Sequence, residues 1–143
     1  MAQPQEGRLV AELQLTQFLL EVRTGQHGNY FKFINQKHPE KNLRLFRSAM
    51  LKLVKELPNA IVSAREMEMA GVEDGTSHEV ATINSFNKTD IILYIQMYEG
   101  SSYIFLRMYR EQDDGSKQPC KYGVQFSPMD SIETLTNFVN KNK

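Results

Sequence analysis

Residues 102–110 read SYIFLRMYR, and this stretch decides how the sheet of the protein is arranged. Its apolar and polar residues alternate with the period of a β-strand. Because neighbouring side chains of a strand lie on opposite faces, Ile104, Leu106 and Met108 share one face, while Arg107 shares the other with aromatic residues. We expect the aliphatic face to pack under a helix. The other face then presents rings and a guanidinium outward.

The same alternation recurs along the chain and predicts further strands. It runs through 17–23, 29–35 and 90–98. Turn-forming residues at 25–28 and 99–102 separate the members of each pair, so each pair is predicted to be a hairpin. Weaker patterns add strands at Leu9–Leu15, at Asn42–Phe46, within His78–Phe86 and at Tyr122–Phe126.

Two helices are predicted, one after each group of strands. Ser48 can cap the first helix, and Pro58 is expected to end it because proline interrupts the helical hydrogen bonds. The second helix is expected to open at Ser127-Pro128, with Asp130 in its first turn. Its apolar residues recur at helical spacing and are Met129, Ile132, Leu135 and Val139.

The two groups of elements can be aligned as an internal repeat. Residues 18–25 align with 93–100 at an offset of 75, and the same offset places Lys32 on Arg107. The following strand and helix align once six residues are inserted in the second copy, in a predicted loop at Glu111–Gln118. Few aligned pairs are identities, so chance similarity of amphipathic segments remains the alternative.

The chain is accordingly predicted to be an α+β protein built from two ββββα repeats. Residues 1–60 form the first repeat, 61–77 a connector and 78–143 the second repeat. Within the connector, Ile61–Met69 could be an ordered strand or a turn of helix. Each repeat alone would leave one sheet face and one helix stripe exposed. We therefore expect an intramolecular pseudo-dimer with crossing antiparallel sheets and packed helices, in which neither half folds independently.

Composition restricts the classes of function. The 143 residues carry 17 basic and 17 acidic side chains, so binding to a polyanion must come from local arrangement. One cysteine excludes an intramolecular disulfide, and the three histidines lack metal-ligand spacing. With no paired carboxylates or activated nucleophile in the pattern, we predict no enzyme activity, cofactor or metal. The longest apolar stretch, Ile91–Ile95, is too short to span a membrane, and the polar start of the chain argues against secretion.

The predicted open face combines aromatic rings with cations. Bases of a single strand can stack on such rings, worth about 1–3 kcal/mol per base, while Arg and Lys contact the phosphates. This surface suits unpaired DNA or RNA rather than a duplex groove. The alternative is a surface that docks a protein or a second copy of the chain, because Tyr and Arg are also enriched in protein interfaces.

Both halves of the chain also carry family features. Those of the second half are Tyr98-Glu99-Gly100, Arg107-Met108-Tyr109, Asp114-Gly115, Pro119, Lys121-Tyr122-Gly123-Val124 and Ser127-Pro128. They resemble the transcriptional coactivator family called positive cofactor four, which binds single-stranded DNA. Residues 18–22 and 28–33 are similar to the first hairpin of the repeat of the Pur-alpha family, another single-strand binder. Both families share a ββββα unit that pairs so that two sheets cross and two helices pack.

The resemblance implies a nucleic-acid surface on the hairpin strands. Arg107 and Lys121 match positions that contact the strand in the coactivator family, Tyr98 replaces an aromatic residue there, and Lys32 matches a basic position of the Pur repeat. The chain departs from the coactivator lysines at Glu99, Ser101 and Tyr122 and from a Pur arginine at Asn29. Fewer phosphate contacts should weaken the affinity and flatten its salt dependence.

The nucleic-acid-binding residues predicted from the faces and the resemblance are Tyr30, Lys32, Arg44, Tyr94, Tyr98, Phe105, Arg107, Tyr109 and Lys121. The expected partner is single-stranded DNA or RNA, with protein partners or a homo-oligomer as further alternatives. The resemblance implies a nuclear or nucleocytoplasmic protein that acts in transcription or RNA handling.

Overall fold

A 23-residue helix, α1 (Arg47–Met69), lies between two antiparallel four-stranded sheets in the sequence. The computed structural model describes residues 6–127 and 130–143. The first sheet consists of β1 (Leu9–Gln14), β2 (Phe18–Arg23), β3 (Tyr30–Asn35) and β4 (Leu43–Phe46), with a short 3-10 helix at Pro39–Lys41. The second consists of β5 (Ser77–Phe86), β6 (Thr89–Tyr98), β7 (Ser101–Glu111) and β8 (Lys117–Phe126), followed by α2 (Ile132–Asn142). Strand order follows the sequence in both sheets, and the predicted α+β class is confirmed.

Each sheet has an inner face whose side chains belong to the hydrophobic core. In the first sheet, Leu20 of β2 pairs with Phe33 of β3, and both are fully buried. In the second sheet, Leu93 pairs with Leu106, which is also fully buried, while the flanking residues Ile104 and Met108 pack against the core. The aliphatic set of β7 therefore lies on the inner side, as its alternation predicts.

One hydrophobic core joins both sheets and both helices. The ring of Phe126 in β8 lies 5.4 Å from that of Phe18 and 6.4 Å from that of Phe33. Leu53 of α1 and Leu135 of α2 belong to the same buried cluster. Helix α1 follows the first sheet in sequence and packs against β5, β6 and β7 of the second. The two halves therefore bury apolar surface against each other.

The expectation that Pro58 ends the first helix is wrong. Helix α1 continues through Pro58 to Met69, and its N-cap is Phe46, without a side-chain cap from Ser48. An internal proline removes one helical hydrogen bond and costs roughly 3 kcal/mol. Burial of Leu57, Ala60 and Ala64 along the inner stripe offsets that cost. The first nine residues of the predicted connector 61–77 are consequently helical.

The start of the second helix also differs from the prediction. Helix α2 begins at Ile132, and the hydroxyl of Ser131 caps it by accepting a hydrogen bond from the Thr134 N–H at 3.2 Å. Asp130 lies before the helix, where one carboxylate oxygen accepts hydrogen bonds from the backbone and hydroxyl of Thr16. The predicted opening at Pro128 and the contact of Met129 lie outside the described residues.

The central hairpins of the two sheets have different loops. Residues 24–29 connect β2 to β3, whereas Glu99-Gly100 alone connects β6 to β7. Glu99 and Gly100 have φ angles of 50° and 80°, the combination that a two-residue hairpin turn requires. The segment 112–116, within the predicted loop 111–118, is likewise a short connection between extended β7 and β8 strands.

Strand pairing shows that the offset of 75 does not extend through the hairpin. Glu21 pairs with Lys32, so the offset would pair Gln96 with Arg107, but Gln96 pairs with Tyr103, four residues earlier. The expected equivalence of Lys32 and Arg107 therefore does not hold in the strand register. Because the slip is an even number of residues, each side chain of β7 keeps its predicted face.

Candidate nucleic-acid interface

The outer face of the second sheet carries a cluster of aromatic rings. Tyr94 of β6 pairs with Phe105 of β7, and their rings stack at 5.3 Å between centroids with an interplanar angle of 20°. The Tyr109 ring meets Tyr94 edge-on at 5.9 Å. Tyr94 is only 6% exposed, whereas Phe105 and Tyr109 are half-buried. Tyr94 therefore lies beneath the cluster, and the rings of Phe105 and Tyr109 form its accessible part.

The hydroxyl of Tyr94 is held in its neutral form. The pKa of Tyr94 is raised to about 12, chiefly by burial; the nearby charge of Arg107 opposes this increase and a hydrogen bond with Tyr109 contributes to it. Arg107 lies on the same face, where it pairs with Gly123 of β8. A Cβ at Gly123 would lie 2.8 Å from the Leu106 carbonyl oxygen and 3.1 Å from the Arg107 Cα. The glycine thus permits close approach of β8 beside Arg107.

An open groove continues this face toward the β6–β7 turn. Its lining residues are Gln96, Tyr98, Tyr103, Phe105 and Gln125. Tyr98 is 60% exposed and offers the most accessible ring of this groove. Tyr103 and the two glutamines are not in the predicted site, although the alternation of their strands places them on this face. Their amide groups can donate and accept hydrogen bonds beside the rings.

The outer face of the first sheet carries cations rather than a ring cluster. Lys32 of β3 pairs with Arg44 of β4. The Arg44 guanidinium lies 5.4 Å from the Tyr30 ring centroid, at cation–π distance. Tyr30 is 8% exposed, and its ring meets that of Phe46 at 6.4 Å. Phe46, which is 59% exposed, is the accessible ring here, and the alternation of β4 places it beside Tyr30.

Two carboxylates, Glu21 and Glu6, form ion pairs with the cations of this face, which also include Arg23 of β2. Glu21 is 7% exposed and binds Arg23 through both oxygens, at 2.8 and 3.2 Å. Glu6 accepts a hydrogen bond from the Lys32 ammonium at 2.5 Å and one from Arg44 at 3.1 Å. These contacts, chiefly the hydrogen bond from Lys32, lower the pKa of Glu6 below its usual value. No motif in the sequence signals the position of Glu6, because its partners are 26 and 38 residues away.

Another carboxylate, Asp90, lies on the outer face of the second sheet beside Tyr109. It accepts hydrogen bonds from Lys117 at 2.8 Å and from the Ser85 hydroxyl at 2.5 Å, which lower the pKa of Asp90. The pairing keeps one negative charge compensated at the edge of the aromatic cluster.

Lys121 lies apart from the regular ladder. The pairing of β7 with β8 shifts between Arg107 and Tyr109, and Lys121 belongs to the irregular segment between their partners. It is exposed, and its ammonium lies 5.4 Å from the Tyr122 ring centroid.

The predicted residues thus form two groups. Tyr94, Tyr98, Phe105, Arg107 and Tyr109 share the outer face of the second sheet, and Tyr30, Lys32 and Arg44 share that of the first. Within residues 6–127 and 130–143, no hydrogen bond, ion pair or ring contact joins the two groups.

A cavity of about 290 Å³ lies on the opposite, helical side of the sheets. It is lined mainly by apolar residues, among them Leu57, Ile61 and Leu135, together with Asp130, one of whose oxygens is buried without a hydrogen-bond partner. The described residues contain no cluster of three side chains able to hold a metal ion. None of the helices in the described ranges is long and apolar enough to cross a membrane.

Comparison with known proteins adds no family assignment: no protein-family model matches the chain, and no curated protein matches it significantly.

Proposed function

We propose that the protein binds single-stranded nucleic acid on the outer face of its second sheet, with the outer face of the first sheet as an additional phosphate-contacting surface. The observation that carries this proposal is the cluster of Tyr94, Phe105 and Tyr109 beside Arg107. Accessible rings beside a cation on the same strand supply the two interactions that an unpaired strand needs, which are base stacking and phosphate contact.

The residues of the second face have distinct roles in this proposal. Tyr94 is a positioning residue, because its stacked contact fixes the plane of Phe105 while its own ring is buried. Phe105 and Tyr98 line the groove and stack bases. Gln96 and Gln125 lie on the same groove, where their amides can hydrogen-bond to base edges.

We also propose that the two halves are related repeats in a pseudo-dimer, as in the positive cofactor four and Pur-alpha families that the sequence resembles. The matching order of four strands and a helix in each half and the shared core support this reading. A role in transcription or RNA handling in the nucleus belongs to the same proposal and rests on the resemblance alone.

Fluorescence-anisotropy titration tests the proposed function. Single-stranded and double-stranded oligonucleotides of the same sequence are titrated at two salt concentrations. Binding should favour the single strand and weaken as salt rises, because phosphate contacts release counterions. Equal affinity for the duplex, or no binding by the wild-type protein, overturns the proposal. In the second case, an interaction module that docks protein partners or a second copy becomes the leading reading.

Arg107→Ala provides the residue-level test. Loss of a charge-assisted phosphate contact should weaken single-strand binding about tenfold and reduce the salt slope by roughly 0.7. Arg110→Ala is the matched control, because it removes the same charge from the same strand. Arg110 pairs with Thr89, and the alternation of β7 places it on the opposite side of the sheet. Equal losses in both variants would show that net charge, and not the outer face, determines binding.

A further inference from the structure

The contacts of Glu6 on the first sheet are those of an occupied anion site. Arg23, Lys32 and Arg44 come from three adjacent strands, and all three converge on the two oxygens of this carboxylate. The Lys32 side chain is only 14% exposed and that of Glu6 is 30% exposed. Solvent therefore screens the Lys32–Glu6 ion pair less than it screens a fully exposed pair.

The segment that carries Glu6 is fixed to the sheet by its backbone. The Arg23 guanidinium donates a hydrogen bond to the Gly7 carbonyl at 2.8 Å. Arg8 donates its N–H to the Thr24 hydroxyl at 2.9 Å and accepts one from the Thr24 N–H at 3.0 Å. These bonds set where the Glu6 carboxylate lies, so its contact with the cations is more than a chance encounter of long side chains.

Gly7 makes this arrangement possible. A Cβ at position 7 would lie 1.7 Å from the Thr24 carbonyl oxygen, a backbone atom that cannot move aside like a side chain. Only glycine therefore lets the chain run this close to the end of β2. A larger residue must lift the segment, and Glu6 with it, away from the sheet.

The charges around Glu6 indicate which kind of ligand could take its place. Glu21 is buried and compensates Arg23 within the sheet. Without Glu6, two positive charges on Lys32 and Arg44 would have no anionic partner among the described residues. A carboxylate and a phosphodiester each offer a single negative charge on paired oxygens, and both bind Lys and Arg in the same way.

We propose that Arg23, Lys32 and Arg44 form a phosphate-binding site, that Glu6 fills it as an internal competitor, and that a phosphate of the single strand binds there by displacing Glu6. This inference rests on the proposed function and adds its regulation. The first sheet then contributes fully to nucleic-acid binding only when residues 6–8 move away from it.

Two variants with different charges test the competition. Glu6→Gln and Gly7→Ala should each raise the affinity for a single-stranded oligonucleotide at low salt by about three- to tenfold and steepen its salt dependence. Gly7→Ala does so without any change in net charge. Glu12→Gln is the control, because Glu12 lies on the same outer face opposite Glu21, is exposed and forms no ion pair with a described residue. A gain in Glu6→Gln no larger than in Glu12→Gln, with no gain in Gly7→Ala, overturns the inference.

A second probe separates this inference from the proposed function. Pyrophosphate should raise the melting temperature of Glu6→Gln more than that of the wild type, and Lys32→Ala added to Glu6→Gln should abolish the difference. If no variant binds oligonucleotides while this stabilisation is seen, the proposed function fails and the anion site stands. If wild type binds the single strand but neither probe distinguishes Glu6→Gln from Glu12→Gln, the function stands and the internal competitor does not exist. If neither probe binds any variant, both proposals are wrong.

Discussion

Two aromatic side chains of the predicted open faces are more buried than the sequence predicts. Alternation along β3 and β6 correctly assigned Tyr30 and Tyr94 to the outer faces, but both are almost fully buried. Period-two reasoning gives the side of the sheet and says nothing about neighbours on that side. Phe46 covers Tyr30, while Phe105 and Tyr109 cover Tyr94. On the second sheet the accessible rings, Phe105 and Tyr109, are predicted site residues, whereas on the first sheet the accessible ring is Phe46, which the prediction omits.

Burial of the Tyr94 hydroxyl predicts a loss of stability at alkaline pH. Above pH 10, its ordinary value, the tyrosine of the unfolded chain loses its proton while Tyr94 in the fold keeps it up to about 12. The free energy of unfolding should therefore fall by about 1.4 kcal/mol per pH unit in this window from Tyr94 alone. Urea denaturation at pH 9, 10 and 11 measures it. The stability difference between wild type and Tyr94→Phe should shrink as pH rises, and a constant difference would contradict the prediction.

Helix α1 shows where local signals lose to tertiary packing. Proline is a strong stop signal in a sequence, and Pro58 is exposed, so nothing local compensates its missing N–H. The residues that keep the helix going are Leu57 and Ala60 beside it and Ala64 one turn later, which are buried on its inner stripe. Their value depends on the second sheet, which the sequence reaches only after residue 76. Strand positions are more predictable, because the alternation of apolar and polar residues directly reflects which side of the sheet is buried.

Replacing the internal proline should stabilise the protein. Pro58→Ala restores a helical hydrogen bond and is expected to raise the free energy of unfolding by about 1–3 kcal/mol, reduced slightly because the unfolded chain gains freedom. Urea denaturation measures the change. Asn59→Ala, at the neighbouring exposed position, is the control and should alter stability by only a few tenths of a kcal/mol. A decrease in Pro58→Ala would mean that a bend at this residue is needed for α1 to reach the second sheet.

The two halves of the molecule share one hydrophobic core, so its stability is expected to depend on contacts between them. Phe126, from the last strand, packs on Phe18 and Phe33 of the first sheet. Exposed faces alone predict that the halves depend on each other, but the sequence does not give the pairs that meet, because contacts between residues so far apart in the chain leave no local pattern. The contacts of Glu6 with Lys32 and Arg44, which are 26 and 38 residues away, likewise leave no local pattern and are found only in the fold.

Removal of the Phe126 ring should weaken both halves together. Phe126→Ala is expected to lower the free energy of unfolding by about 3–5 kcal/mol, while unfolding stays a single transition. Phe86→Ala removes the same ring from a site that is 72% exposed and should change stability by less than about 0.5 kcal/mol. Far-UV circular dichroism and calorimetry report the transition independently. Two separate transitions in the wild type would show that the halves fold as independent units.

The four-residue slip between the two central hairpins also limits how this architecture can change length. A pair of inserted residues at the β6–β7 turn would lengthen the ladder by one rung and leave Phe105 and Arg107 facing solvent. A single inserted residue that shifts the register by one would exchange the two faces of the strand, so that Leu106 would face water and the Arg107 guanidinium would face the helices. Whether an insertion or deletion shifts the register by an even or an odd number of residues therefore matters more to these strands than its length.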